Sequence, residues 1–390
     1  MISFIFVYKE KTILGRISIL FKIVFFYIYI SKKEILNTMK LEVWMMKKIL
    51  MMLSLFTLVL AACSSKEDGK EKPAKLVVST WGFADDFFRP EVYEPFEKEH
   101  NVEIVVDSGN NADRLNKVRQ ANSDVDVIYL SDYYAQQGID EGLFEKVDHS
   151  KIPNIDYIYD KAKAPNGAEY GPAYTIAQFG IAYNPDELSK PITSWKDLWS
   201  KDMAGKITIP SITSTTGPMF LDAASKASGS EEFNEDKAFD QMKKIMPNAV
   251  KEYGQTSEFV NMFSQGEIAA GPIMEMYFGD LQEAVPNAKF ISPQEGGYAV
   301  MNTVNIVKAS DQKELAGEFM NYILSKEVQE KSAKAKVDSP VNTEVKLSKT
   351  EAKGLTYGDD VIDSLRVLDM KFVNENSKQW IDRWNRELTH

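Results

Sequence analysis

Between Gly205 and Phe220 the sequence reads GKITIPSITSTTGPMF, and six of the seven residues from Ser211 to Gly217 are small and polar or glycine. Ser211, Thr213, Ser214, Thr215 and Thr216 supply hydroxyls, Gly217 allows close backbone approach, and Pro218 stands where a helix can open. Two kinds of chemistry suit such a stretch. Hydroxyls and free N–H groups can cap the helix that follows, and the same donors at a helix start can cradle an anion. Trp81 follows an apolar run and offers a ring face for stacking, while Ser131, Asp132 and Tyr133 follow another such run. Glu275 comes after the buried-looking run GEIAAG and could hold an amine. Tyr174 and Gln178 lie on the long apolar stretch Ala173–Asn184, and Asn302 with Thr303 on a second one, Tyr298–Val307. Asp85 and Asp86 fall in the first turn of a helix, where a carboxylate answers the macrodipole.

Catalytic chemistry finds little support. The three histidines are His100 at a helix end, His149 in a loop and terminal His390, none of them near a serine in a nucleophile-elbow context. No His, Cys and carboxylate spacing suggests zinc. Tyr133 and Tyr134 are adjacent, and neighbours on a helix do not share a face, so they make a poor pair of metal ligands. The pattern points to binding without a cofactor.

Elements that could position these groups alternate along the chain. KLVVST (Lys75–Thr80), VEIVVD (Val102–Asp107) and DVDVIYLS (Asp124–Ser131) read as strands, separated by helical stretches at Asp85–Glu99 and Ala112–Ala121. A second series begins after Tyr170, with strands at Ala173–Asn184, Gly205–Ile209, Gly266–Gly271 and Tyr298–Val307. Helices are expected at Trp195–Trp199, Pro218–Ala227, Asp236–Met246, Thr256–Ser264, Lys313–Ser325, Glu327–Ala335 and Asn374–Leu388. Strands and helices alternating at this spacing give an α/β fold with two doubly wound lobes, joined where the two long strands cross. Ligands in such folds bind beyond the carboxyl ends of strands, which is where the polar candidates above fall.

The N-terminal region reads differently. MKKILMMLSLFTLVLAACSS has a basic start, an apolar run and small residues before Cys63, as secretory signals do. Residues 1–62 are expected to be an over-extended start plus signal peptide, and 63–74 a polar linker held to the lipid bilayer through Cys63, the only cysteine. The boundary LAAC matches the bacterial lipobox. Without residues 1–62 the chain keeps 37 basic and 54 acidic residues, a net charge of −17, and nothing in it favours nucleic acid, which wants a basic face.

The segments TWGFADDFFRPEVYEPFEKEHNVEIV, DVDVIYLSDYYAQQGIDEGLFEKVD, YGPAYTIAQFGIAYN, SWKDLW, GKITI, FSQGEIAAG and PVNTEVKLS follow in order. This succession resembles bacterial ABC-transporter solute-binding proteins, above all the spermidine/putrescine-binding subfamily with its thiamine, iron and phosphonate relatives. The resemblance implies a two-lobed type II periplasmic-binding-protein fold, with lobe 1 formed by 75–174 with 302–390 and lobe 2 by 175–301. It implies an extracytoplasmic monomer that is no enzyme, binds a small-molecule solute and delivers it to a cognate ABC permease. Trp81, Ser131 and Tyr133 match the subfamily's aromatic and its S-x-Y-Y loop. The acidic pair that the resemblance places after GKITI falls within Ser211–Thr215, where there is no carboxylate; the aspartate of the returning strand is Asn302. Polyamine is the default solute, and the substituted loop fits an anionic or zwitterionic one.

Overall fold

The computed structural model describes residues 73–388, so the signal, the lipobox and most of the linker lie outside the described residues. Nine strands carry the fold: β1 (Ala74–Thr80), β2 (Val102–Ser108), β3 (Val127–Ser131), β4 (Ala173–Tyr183), β5 (Ile207–Pro210), β6 (Ala249–Tyr253), β7 (Ala270–Met274), β8 (Lys289–Ile291) and β9 (Tyr298–Ile306). They form one continuous sheet in the order β2-β1-β3-β9-β4-β7-β5-β6, with β8 added against β4. The outer trios β2-β1-β3 and β7-β5-β6 are internally parallel. Antiparallel pairs β3 with β9, β9 with β4 and β4 with β7 join them. Two parallel α/β halves are thus linked by two central strands that run in opposite directions, as the alternating pattern predicts.

β4 explains how one strand serves both halves. All eleven of its residues are buried, and side chains of a strand point alternately to opposite faces. Tyr174 and Ile176 enter the core of the first half with Leu76, Val78, Tyr129 and Met301. Ala177, Phe179, Ile181 and Tyr183 enter the core of the second with Trp195, Ile207, Phe220 and Phe239. The switch of core falls between Ile176 and Ala177, opposite Met301 and Val300 of β9. Each core contains several fully buried aromatic rings, and burial of such side chains contributes about 1.5–3 kcal/mol apiece.

Several elements depart from the expectation. The strand anticipated at Gly266–Gly271 begins instead at Ala270, because Gly266 adopts the left-handed φ of 72° that turns the chain out of a helix. Strand β6, AVKEY, is half polar and lies at the sheet edge, so its composition did not mark it. The C-terminal helix starts at Met370 and not Asn374, since the Asp369 carboxylate accepts the N–H groups of Lys371 at 2.9 Å and Phe372 at 3.1 Å.

That helix, Met370–Glu387, also crosses the division of the chain at residue 302. Its apolar side (Met370, Val373, Trp380, Trp384) packs in the core of the second half. Arg383 ties its far end to Glu235 at 2.7 Å and Asp236 at 2.9 Å, and lies over the Phe239 ring at 4.3 Å. Near its start, Asn374 reaches the first half, donating to the Tyr133 carbonyl at 3.1 Å and accepting from Gln137 at 3.3 Å.

Candidate functional site

The carboxyl ends of β1 and β3 are closed by a residue that the sequence did not single out. Arg114 is buried, with 2% of its surface exposed, on the helix Asn111–Val118. Its Nε donates to the Gly109 carbonyl at 2.9 Å, Nη1 to the Ser79 carbonyl at 3.1 Å and also to the Tyr129 carbonyl, and Nη2 to Asn111 Oδ1 at 3.2 Å. Desolvation pulls the guanidinium down to about 10, so it remains charged at neutral pH. It lies 4.5 Å from the centroid of the Trp81 ring. One face of Trp81 is therefore taken by an arginine, and only the other can meet a ligand.

Next to Trp81 stands a wall of tyrosines. The Tyr129 ring is 6.5 Å from that of Trp81 and stacks on Tyr174 at 4.6 Å. Tyr93 is stacked on Phe88 at 5.9 Å in the same core. Burial is the main reason that the phenols of Tyr93, Tyr129 and Tyr174 all titrate above their ordinary range, and the carboxylate of Asp338 adds to it in each case. Asp338 lies between the helix Lys326–Lys334 and Pro340, which bridges to Thr175 of β4. It is only half-buried by exposed surface, yet enough atoms surround the carboxyl for desolvation to lift it to about 7. Ser332 Oγ donates to it weakly at 3.5 Å, and the Thr175 hydroxyl, which donates to the Ser339 carbonyl at 2.9 Å, lies beside it. Lys336, two residues away, turns its ammonium instead to the carbonyls of Glu351 and Lys353.

Glu275 opens the short helix after β7, facing the same crossing strand from the other half. Its Oε2 accepts from Thr356 Oγ1 at 2.8 Å, and that hydroxyl accepts the Gln178 N–H of β4 at 2.8 Å. Burial raises its carboxyl above the usual range. Neither Glu275 nor Asp338 has a basic side chain that lowers it among the described residues. Nearby, Ser131 Oγ and Gln178 Nε2 are buried polar atoms without a partner among the described residues. Groups of that kind are costly unless something else meets them.

Other predicted residues are placed differently. The Asp132 carboxylate is buried, turns onto its own backbone N–H, that of Tyr133 at 2.9 Å and that of Met301, and is raised by desolvation to about 7. It fastens β9 to the start of the helix Asp132–Asp140. Tyr133 packs against the second core and faces Ser377 and Gln137, beneath the C-terminal helix. Asn302 is half-buried and sits in register between Ser131 and Thr175.

The Ser211–Gly217 loop is largely self-satisfied. Ser214 Oγ donates to the Ser211 carbonyl at 2.8 Å, Ser211 Oγ meets Thr213 Oγ1 at 3.1 Å, and the Gly217 N–H donates to the Ser214 carbonyl at 3.1 Å. A Cβ on Gly217 would lie 2.3 Å from the Ser211 carbonyl oxygen, so the loop can close only around glycine. Thr216 occupies the N-cap position of the helix Gly217–Ala227, yet its side chain makes no capping bond. It faces Tyr253, whose hydroxyl donates to the Pro272 carbonyl at 2.8 Å. Thr215 is half-buried in the same loop.

A cavity of about 460 Å³ lies behind the helix Asp132–Asp140, lined among others by Gln136, Asp140, Asn166, Tyr170 and Lys371. None of the residues selected from the sequence lines it, and it is separate from the strand ends just described.

Comparison with known proteins accords with the fold. The profile of bacterial extracellular solute-binding proteins matches residues 91–355. A crystal structure of an ABC transporter from Clostridium perfringens is 47% identical, with a TM-score of 0.75 over 80% of this chain and 99% of that one. The spermidine/putrescine-binding periplasmic protein 1 of Haemophilus influenzae is 25% identical over 70% of this chain and 78% of its own length. The Escherichia coli spermidine/putrescine-binding periplasmic protein is 25% identical over 62% and 71%. The relatives are substrate-binding transport proteins, not enzymes, and have the two-lobed architecture. The chain belongs to the bacterial extracellular solute-binding protein family, as the binding component of an ABC importer.

Proposed function

We propose that this receptor closes its two lobes over a small amine-bearing solute, with a polyamine such as spermidine or putrescine as the first candidate, and hands it to a membrane permease. The observation that supports the amine is Glu275. It is a half-buried carboxylate at the inner end of lobe 2, bonded to Thr356 and thence to the crossing strand, with no ion-pair partner among the described residues. A bound ammonium would give it a charge-assisted hydrogen bond where burial otherwise disfavours its charge. The names of the Haemophilus and Escherichia relatives, spermidine/putrescine-binding proteins, agree with such a solute. An anionic or zwitterionic solute, such as a phosphonate or phosphate ester, is the second reading, favoured by the absence of any carboxylate between Ser211 and Gly217.

Thermal denaturation with spermidine, putrescine, thiamine and 2-aminoethylphosphonate separates these readings. A solute at about one hundred times Kd adds roughly 2.7 kcal/mol of stability. A shift with the diamines supports the proposal. A shift with the phosphonate alone replaces it by the second reading, and none with any compound favours a surface adhesin lipoprotein that keeps the fold without its cargo. Anchoring through Cys63 is proposed from the lipobox; a C63A chain should leave the membrane fraction, and its retention there would refute the anchor.

A further inference from the structure

We propose that Arg114 is a positioning residue that sets, through the Trp81 ring, the sign of charge a solute can bring to the strand ends of the first half: a neutral or anionic group is accepted there and an ammonium is not. The inference goes beyond the amine reading of Glu275 and does not depend on it.

Arg114 joins three strand ends and meets nothing of opposite charge. Its guanidinium donates to the carbonyls of Ser79 in β1, Gly109 just after β2 and Tyr129 in β3, and to Asn111 Oδ1. All of these acceptors are neutral. Asp107, the carboxylate that acts on it, is engaged elsewhere, with Lys117 at 2.9 Å and with the Ser79 hydroxyl at 2.8 Å. Among the described residues the guanidinium thus has no ion-pair partner, although only 2% of the residue is exposed. A buried cation without a counter-ion keeps a far-reaching field, because little solvent screens it.

That field reaches the surface through Trp81. The guanidinium lies over the ring, 4.5 Å from its centroid, and Trp81 is itself half-buried, two residues beyond Ser79. A ring face attracts cations because its π electrons lie exposed on both sides. Here Arg114 occupies one face and draws those electrons away from the other. A group in van der Waals contact with the free face, roughly 3.5 Å above it, stands about 8 Å from the guanidinium. That distance is within one screening length at physiological salt, and burial weakens the screening further. An ammonium there meets a depleted ring and a like charge, whereas a carboxylate or phosphonate meets an opposite one. A diamine must therefore lay its methylenes, and not an ammonium, on this ring.

Collisional quenching of tryptophan fluorescence by iodide and by caesium reads that charge without any solute, with the share of Trp81 taken as the difference between wild type and W81F. Iodide should quench Trp81 at least about twice as strongly as caesium. R114K should keep that ratio, and R114M should bring it to one or below. Equal quenching in wild type overturns the proposal. So does an unchanged ratio in R114M, since an arginine that only supports the fold would alter access for both ions alike. Should R114M not fold, R114Q carries the same comparison, with melting as the control. Calorimetric titration then extends the test to 4-aminobutanoate, 1-aminobutane and putrescine, which share a four-carbon chain and one amine and differ in the charge of the far end. From wild type to R114M the affinity for 4-aminobutanoate relative to putrescine should fall at least about tenfold; a ratio that holds overturns the proposal. If wild type binds none of the three, the amine reading of Glu275 fails by itself, and the quenching ratio decides for Arg114.

Discussion

The Ser211–Gly217 loop of the second half and the Asp338 region of the first invert each other's appearance. The loop is rich in hydroxyls and draws the eye in the sequence, yet those groups bond largely to one another. Asp338 is a single acid in an irregular stretch, yet it stands beside Thr175 of the crossing strand with no basic partner among the described residues. The lesson concerns satisfaction. Polar groups that complete one another build local structure, whereas polar groups held ready without partners are available to a ligand.

Three substitutions probe that contrast, the strongest first. G217A forces a methyl group against the Ser211 carbonyl and Ile212 Cα, at 2.3 and 2.7 Å. It should destabilise the protein by about 3 kcal/mol in thermal unfolding, the upper range of overpacking costs; a loss under about 1 kcal/mol would mean that the loop is slack and its self-satisfaction unimportant. T356V removes the hydroxyl between the Gln178 N–H and Glu275 and leaves both unpaired, at an expected cost of about 2 kcal/mol by denaturant titration.

D338N should act with the opposite sign on the unliganded protein. The folded carboxyl is raised to about 7, while the unfolded one titrates near 3.9. Between those values the folded state holds the extra proton, so stability from this group is present at low pH and lost as pH rises toward 7. Replacing it should leave stability unchanged near pH 4 and raise it by about 1–2 kcal/mol at pH 8, less than the full shift because the carboxyl is partly open to solvent. A variant that is less stable than wild type at pH 8 would show that Asp338 already has a stabilising partner.

Much of the architecture was written in periodicity. The long apolar strands β4 and β9, the alternation of strands and helices and the clustering of candidates at strand ends were all legible, because burial on both faces leaves continuous apolar runs. The site was legible in part. Trp81 and Glu275 belong to the proposed ligand contacts, while the Asp132 carboxylate bonds backbone N–H groups and Tyr133 packs against the second core. Arg114 gave no signal, since an arginine in an amphipathic helix ordinarily points to solvent, and only the tertiary fold brings the Ser79 and Tyr129 carbonyls to it. Asp338 lies in a stretch without period, two residues before the PVNTEVKLS segment, and Thr175 beside it belongs to a strand far earlier in the chain. Residue type could not announce a juxtaposition that topology makes.

The C-terminal helix gives this arrangement a mechanical side. It is fastened to one lobe by the paired Asn374 contacts and to the other by Arg383 and two tryptophans. A rod pinned at both ends cannot follow rotation at the strands Ile176–Ala177 and Val300–Met301 without loosening one pin. The lighter fastening, two neutral hydrogen bonds, would be the one to yield. Apparent affinity in a closing receptor scales with the fraction of molecules already in the competent shape. A helix fastened to both halves in this way, to the first through the Tyr133 carbonyl, would weigh in that balance as a counterweight to closure.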